Sequence, residues 1–168
     1  MTAPTVALID RYAIGSSVLA YALDGLSDEQ AKARPGPGTW SIAELAAHLV
    51  DADLVISDRM KRVIAEDAPL LTAFDETAWT GRLSTNEAPL AESLALFQVN
   101  RRWTERILRR CVQADFARAG RHDQAGRVTL AELLVGGVNH LDHHLRFLYG
   151  KRANLGTAVQ PRYSYPIA

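Results

Sequence analysis

Residues 129–148 read TLAELLVGGVNHLDHHLRFL. Leu130, Leu133, Leu134, Gly137, Leu141, His144 and Leu148 recur at three- and four-residue spacing, which places them on one face of an α-helix. Thr129 followed by Glu132 has the spacing of a capping box, so the helix is expected to open there and to end by Gly150. His140 and His144 lie one turn apart on one side of this helix.

The same period appears upstream. Ser41 and Glu44 form a second capping-box pair, followed by a stripe of Leu45, Leu49, Ala52, Ile56, Met60 and Val63 that is expected to run to about Glu66, before Pro69. His48 falls within that stripe. Residues 4–24 form the first long helix, with Ile9, Tyr12, Ala13, Ser16, Ala20 and Leu23 on its inner face and Gly25 as its stop. Ser27 and Gln30 mark a short capped turn. Residues 88–112 form the third long helix, with Leu90, Leu94, Phe97, Asn100, Thr104, Ile107, Leu108 and Cys111 facing inward. Between the second and third long helices, residues 67–87 read as a long irregular connection of the crossover or lid type. Only Gly126-Arg127-Val128 is expected to be extended. Four amphipathic helices with no convincing period-two strand predict an all-α four-helix bundle with a long crossover connection between helices 2 and 3. One domain is expected over residues 1–150, with the tail 151–168 folded back on it through Tyr163 and Tyr165.

Composition narrows the function. The 168 residues are 48% hydrophobic and 23% charged, enough apolar content to exclude a disordered chain. Nineteen basic residues balance nineteen acidic ones, which argues against a dedicated nucleic-acid binder. A single cysteine, Cys111, excludes an intrachain disulfide and reads as a core residue. No run of roughly 18 uninterrupted apolar residues is present, and the first residues lack the basic-then-apolar order of a signal peptide. The expectation is a cytoplasmic protein with no membrane or nucleic-acid partner.

The histidines carry the chemistry. Two imidazoles at i and i+4 can reach one metal ion, and His48, on another apolar helix face, is the candidate third ligand. Three neutral imidazoles leave coordination positions open, as catalytic metal sites do, and suit Zn²⁺ or Ni²⁺ equally. Gly136 and Gly137 precede His140 by one turn, and mid-helix glycines cost about 1 kcal/mol each, so a close packing contact or a ligand is expected there. His143 projects away from its two neighbours and is assigned to the surroundings of the site or to the surface. His122 lies in a polar loop. Asp51 is a candidate to orient an imidazole, and Asn100 to line the pocket. Arg101, Arg102, Arg106, Arg109 and Arg110 read as a solvated face paired with nearby acids. Trp40 is expected at the bundle end, and Trp79 as a wall of the pocket or an anchor of the connection.

Two stretches carry a family resemblance. Ala33 to Asp53, ARPGPGTWSIAELAAHLVDAD, is similar to the entry of the second helix in DinB/YfiT-like proteins, where a Trp-Ser or Trp-Thr pair precedes an inward histidine. Residues 129–148 resemble their last helix, with its H-x-x-H-H pattern. The resemblance implies a four-helix bundle, a divalent metal held by the residues matching His48, His140 and His144, and a homodimer. It also implies a small-molecule substrate and, after the best-characterised members, a low-molecular-weight-thiol S-transferase or thiol-dependent isomerase. Metal-dependent hydrolysis and a non-catalytic metal-binding stress or interaction role are the alternatives. Where many members continue with Arg-Gly-Gln, this chain has Leu145-Arg146-Phe147, which puts the substrate-side contacts in doubt.

Overall fold

The structure, a computed structural model, describes residues 1–164. Its long helices are α1 (Ala3–Leu23), α3 (Ile42–Ala65), α5 (Leu90–Leu108) and α6 (Leu130–Asn154), with short helices α2 (Asp28–Lys32) and α4 (Glu76–Arg82) between them. All three expected capping boxes form. The hydroxyls of Ser27, Ser41 and Thr129 accept from the backbone N–H three residues on, and the N3 side chain returns the bond. Each cap satisfies backbone donors that the first helical turn otherwise leaves unpaired.

α1 packs against α5 and α6, and α3 packs against the same two helices. Helices consecutive along the chain (α1 and α3, then α5 and α6) therefore sit diagonally across the bundle. The long connection joins the neighbours α3 and α5. It is more ordered than the sequence suggests, holding β1 (Leu70–Leu71), α4 and a 3₁₀ turn at Thr85–Glu87. A minor sheet accompanies the helices, and its last strand takes in the expected extended residues Gly126-Arg127-Val128. β1 pairs parallel with β2 (Ala119–His122), which pairs antiparallel with β3 (Gly126–Thr129). Strands of two and four residues are too short to show a period-two pattern; β2 and β3 form a local hairpin, and only β1 joins it from far along the chain.

Two further differences concern helix ends and faces. α6 runs past Gly150 to Asn154. The buried face of α1 is Ile9, Tyr12, Gly15, Val18, Leu19, Ala22 and Leu23, so Ala13, Ser16 and Ala20 lie at its edge. By length and composition α1 is apolar enough to cross a membrane, despite Asp10 and Arg11; in the bundle its apolar face is core. The tail returns as expected at Tyr163, whose ring stands edge-on to Tyr149 at 5.9 Å. Tyr165 lies outside the described residues.

The core has two apolar clusters. One gathers Leu19, Leu23, Ile42, Leu45, Leu49, Phe97, Leu141, Leu145 and Leu148; the other gathers Ile9, Tyr12, Met60, Val63, Leu71, Leu108, Leu130, Leu134 and Val138. Each fully buried aliphatic side chain contributes about 1.5–3 kcal/mol relative to exposure. Along α3, the segment between the clusters carries the buried polar residues Asp53 and Ser57.

Candidate metal centre

His48 sits in the second turn of α3, within a run from Ser41 to Val50 that is buried throughout. His140 and His144 project from α6, which packs directly on α3. The Nε2 atom of His48 lies 3.2 Å from the Nε2 atoms of both His140 and His144. All three ligand nitrogens fall within 4.8 Å of one another. Tetrahedral Zn–N bonds of about 2.0–2.1 Å place ligand nitrogens roughly 3.4 Å apart, so the spacing fits one shared cation.

Electrostatics support the same reading. Burial pushes the imidazolium of His140 down to about 3 and that of His144 to about 4, with the neighbouring histidines adding to the effect. Burial also lowers His48, against the pull of Glu76. All three rings are therefore neutral at pH 7, the state in which imidazole binds a metal. Without a cation, nitrogen lone pairs and at most a few N–H groups would crowd one point; a divalent ion satisfies all three.

The surroundings are aromatic on one side and charged on the other. The Trp40 ring stands 5.0 Å from that of His48, and Phe147 lies 6.1 Å from His144. A cavity of about 280 Å³ opens at His144, lined by Gly38, Trp40, Leu45, His144, Phe147 and Lys151. The Lys151 ammonium donates to the Trp40 carbonyl, and burial lowers its pKa. Glu76, on α4, places Oε2 3.8 Å from His48 Nε2. This carboxylate escaped sequence reading because nothing local in an irregular connection says which helix it will face.

The remaining candidates are dispersed. His143 is exposed, its ring edge-on to His144 at 5.1 Å and to Phe147 at 5.0 Å. Asp51 lines a separate cavity of about 300 Å³ with Ala47, Leu83, Pro89 and Leu96, where burial raises its pKa. Asn100 is buried away from that cavity and donates to Asp53 Oδ2 at 2.7 Å, while its own Oδ1 accepts from Ser57 Oγ at 3.1 Å.

Arg101 corrects the reading of α5 as carrying five solvated arginines. The residue is 1% exposed. Nε donates to Asp53 Oδ1, Nη1 to the Tyr12 carbonyl and Nη2 to the Gly137 carbonyl, each at 2.9 Å. The guanidinium thus ties α5 to α1, α3 and α6, one turn before His140. Gly15 is required beside it, since a Cβ there would stand 2.2 Å from Nη1. Gly137 supplies the close contact expected of a mid-helix glycine, against Tyr12 and Ile56, whereas Gly136 faces open space. The signal for Arg101 was its spacing. It falls four residues after Phe97 and three before Thr104, on the inner face.

Comparison with known proteins gives a consistent picture. The DinB superfamily profile matches residues 13–148. A Geobacillus kaustophilus protein, GK0616, is 32% identical over 130 residues, 76% of this chain and 72% of its own. YfiT of Bacillus subtilis is 30% identical over 129 residues, with coverage of 76% and 72%. Both carry the name "putative metal-dependent hydrolase". The solved structure of Bacillus subtilis YfiT, a four-helix bundle of unusual topology, superposes with a TM-score of 0.85 at 23% identity, covering 93% of this chain and 90% of that one. A DinB-like protein of the same organism, YjoA, superposes with a TM-score of 0.65 at 17% identity, covering 93% and 96%.

Proposed function

We propose that this chain, which belongs to the DinB superfamily, is a divalent-metal-dependent enzyme acting on a small molecule, with His48, His140 and His144 as its metal ligands. One observation carries the proposal: three neutral imidazole nitrogens converge beside a cavity of about 280 Å³ that His144 itself lines. A Zn²⁺ or Ni²⁺ ion held there supplies Lewis acidity, which lowers the pKa of a thiol or of water. The protein's own residues do the rest. α3 and α6 hold the three rings at ligand spacing, and burial keeps them deprotonated. Trp40, Leu45 and Phe147 wall an apolar space for the substrate body, and the Lys151 ammonium gives its rim a positive charge.

Our first reading of the reaction is transfer of a low-molecular-weight thiol to an electrophile, as the superfamily resemblance implies. Hydrolysis is the second reading, favoured by the names of the Geobacillus and Bacillus relatives. A storage or stress module would need no substrate cavity, and the space beside His144 favours turnover. We include a homodimer in the proposal, because Leu96, Val99 and Trp103 form an exposed apolar stripe along α5.

The deciding experiment assays Zn²⁺- and Ni²⁺-loaded protein with a panel of thiols against model electrophiles, and with activated esters and amides in the absence of thiol. Thiol-dependent, chelator-sensitive turnover establishes transfer; chelator-sensitive turnover without thiol establishes hydrolysis. Metal uptake with no turnover in either panel would favour the storage role.

A further inference from the structure

A further cavity lies apart from the one at the imidazoles. It measures about 670 Å³ and lies between α3 and the connection, lined by Leu54, Val55, Arg59, Leu71, Phe74 and Trp79 among others. None of His48, His140 and His144 lines it. Its volume is that of a site for an organic molecule. Leu54, Leu70 and Trp79 are 36%, 49% and 37% exposed and together line its walls with apolar surface. Phe74 and Trp79 meet edge-on at 4.9 Å and form an aromatic wall.

Arg59 lines this cleft together with the polar residues Asp58, Arg62 and Thr72. Arg59 Nη2 donates to the Thr72 carbonyl at 2.6 Å, while its Nε is buried with no hydrogen-bond partner. A buried unpaired donor costs about 1–3 kcal/mol, more when charged, so its presence calls for an acceptor. Three carboxylates, Asp123, Asp58 and Glu76, lie near enough to act on the Arg59 charge, yet none accepts from Nε. Asp58 accepts from Arg62 Nε at 2.7 Å, Asp123 accepts from the Ala73 N–H at 3.0 Å, and the Glu76 carboxylate stands beside His48. Burial weakens the hold of Arg59 on its proton, and the nearby carboxylates of Asp123, Asp58 and Glu76 only partly offset it.

We infer that this cleft is a second small-molecule site, specific for an amphipathic organic anion. The apolar or aromatic body lies against Leu54, Val55, Phe74 and Trp79, and a carboxylate or sulfonate accepts from Arg59. A planar acid group suits the guanidinium fork, and the aromatic walls suit a flat ring. The inference is independent of the metal reading, because the cleft shares no residue with the imidazole cluster.

The test uses 8-anilinonaphthalene-1-sulfonate, an aromatic sulfonate, with uncharged N-phenyl-1-naphthylamine as its control. Binding to the full-length protein is followed by probe fluorescence and by quenching of tryptophan. The expected result is one saturable site whose quenching is lost in Trp79→Phe. Arg59→Gln should weaken the sulfonate about 10- to 100-fold, the range of a charged hydrogen bond, and leave the neutral probe unchanged. Val55→Phe, which fills the cleft while keeping the Arg59 side chain in the protein, should abolish binding of both probes and decides the matter if Arg59→Gln does not fold. The inference is overturned if wild type shows no saturable site, if Arg59→Gln binds both probes as wild type does, or if Val55→Phe leaves binding intact.

Discussion

His48 and His140 bring their Nε2 atoms within 3.2 Å of each other although 92 positions separate them along the chain. Only the packing of α3 on α6 makes them neighbours. Neutral imidazoles can share N–H···N contacts only in pairs, so three that converge on one point are suited to a single shared ligand. Under the proposed function, a divalent cation serves all three rings at once.

Metal content should depend on the three rings and on no other histidine. Purified without a histidine tag and analysed by elemental mass spectrometry, wild type should retain about one divalent ion per chain under the three-histidine site reading. His140→Ala and His144→Ala should retain almost none. His143→Ala, whose ring lies on the exposed side of α6, should keep the wild-type ratio. Metal retained by His144→Ala at the wild-type level would rule out the triad.

Acid should destabilise the metal-free protein earlier than its carboxylates alone would suggest. An imidazole in the unfolded chain titrates near 6.5, whereas burial holds His140 at about 3 and His144 at about 4 in the folded state. Between those limits the unfolded chain binds more protons, so stability rises with pH across the window and falls as pH drops through it. Melting temperatures measured from pH 7 to pH 4 should therefore decline for the chelated wild type. The His140→Ala/His144→Ala double variant should decline less steeply.

The Arg101–Asp53 pair should be among the most sensitive in the molecule. Arg101→Met leaves Asp53, 3% exposed, as an uncompensated buried charge and frees the Tyr12 and Gly137 carbonyls. Breaking a buried pair in this way costs about 3–5 kcal/mol. Urea denaturation should show that loss in the midpoint, and adding Asp53→Leu should recover part of it. A midpoint unchanged in Arg101→Met would mean that the clamp does not hold the bundle.

Association should depend on the outer face of α5. Trp103 is 56% exposed and Val99 53% exposed, with Leu96 one turn before Val99. Under the homodimer proposal, Trp103→Glu should convert the dimer to monomer in light scattering coupled to size exclusion, without lowering the melting temperature of the isolated chain. A wild type that is already monomeric at micromolar concentration would end that part of the proposal.

The helices and their starts were legible because their causes are local. A hydroxyl three residues before a glutamate or glutamine satisfies its own backbone wherever the rest of the chain lies, and Ser27, Ser41 and Thr129 all cap as their spacing predicts. The identity of the three imidazoles was legible for the same reason, since a histidine in an apolar stripe is visible in one helix at a time. What tertiary structure alone decided is who meets whom. It set Asn100 and Arg101 against Asp53, turned Asp51 to another cavity, brought Glu76 from an irregular segment to His48, and paired β1 with the distant hairpin of β2 and β3. Helical period fixes the direction of a side chain only relative to its own axis. Its partner depends on the rotation and neighbours of every other helix, which packing sets collectively and no local pattern encodes.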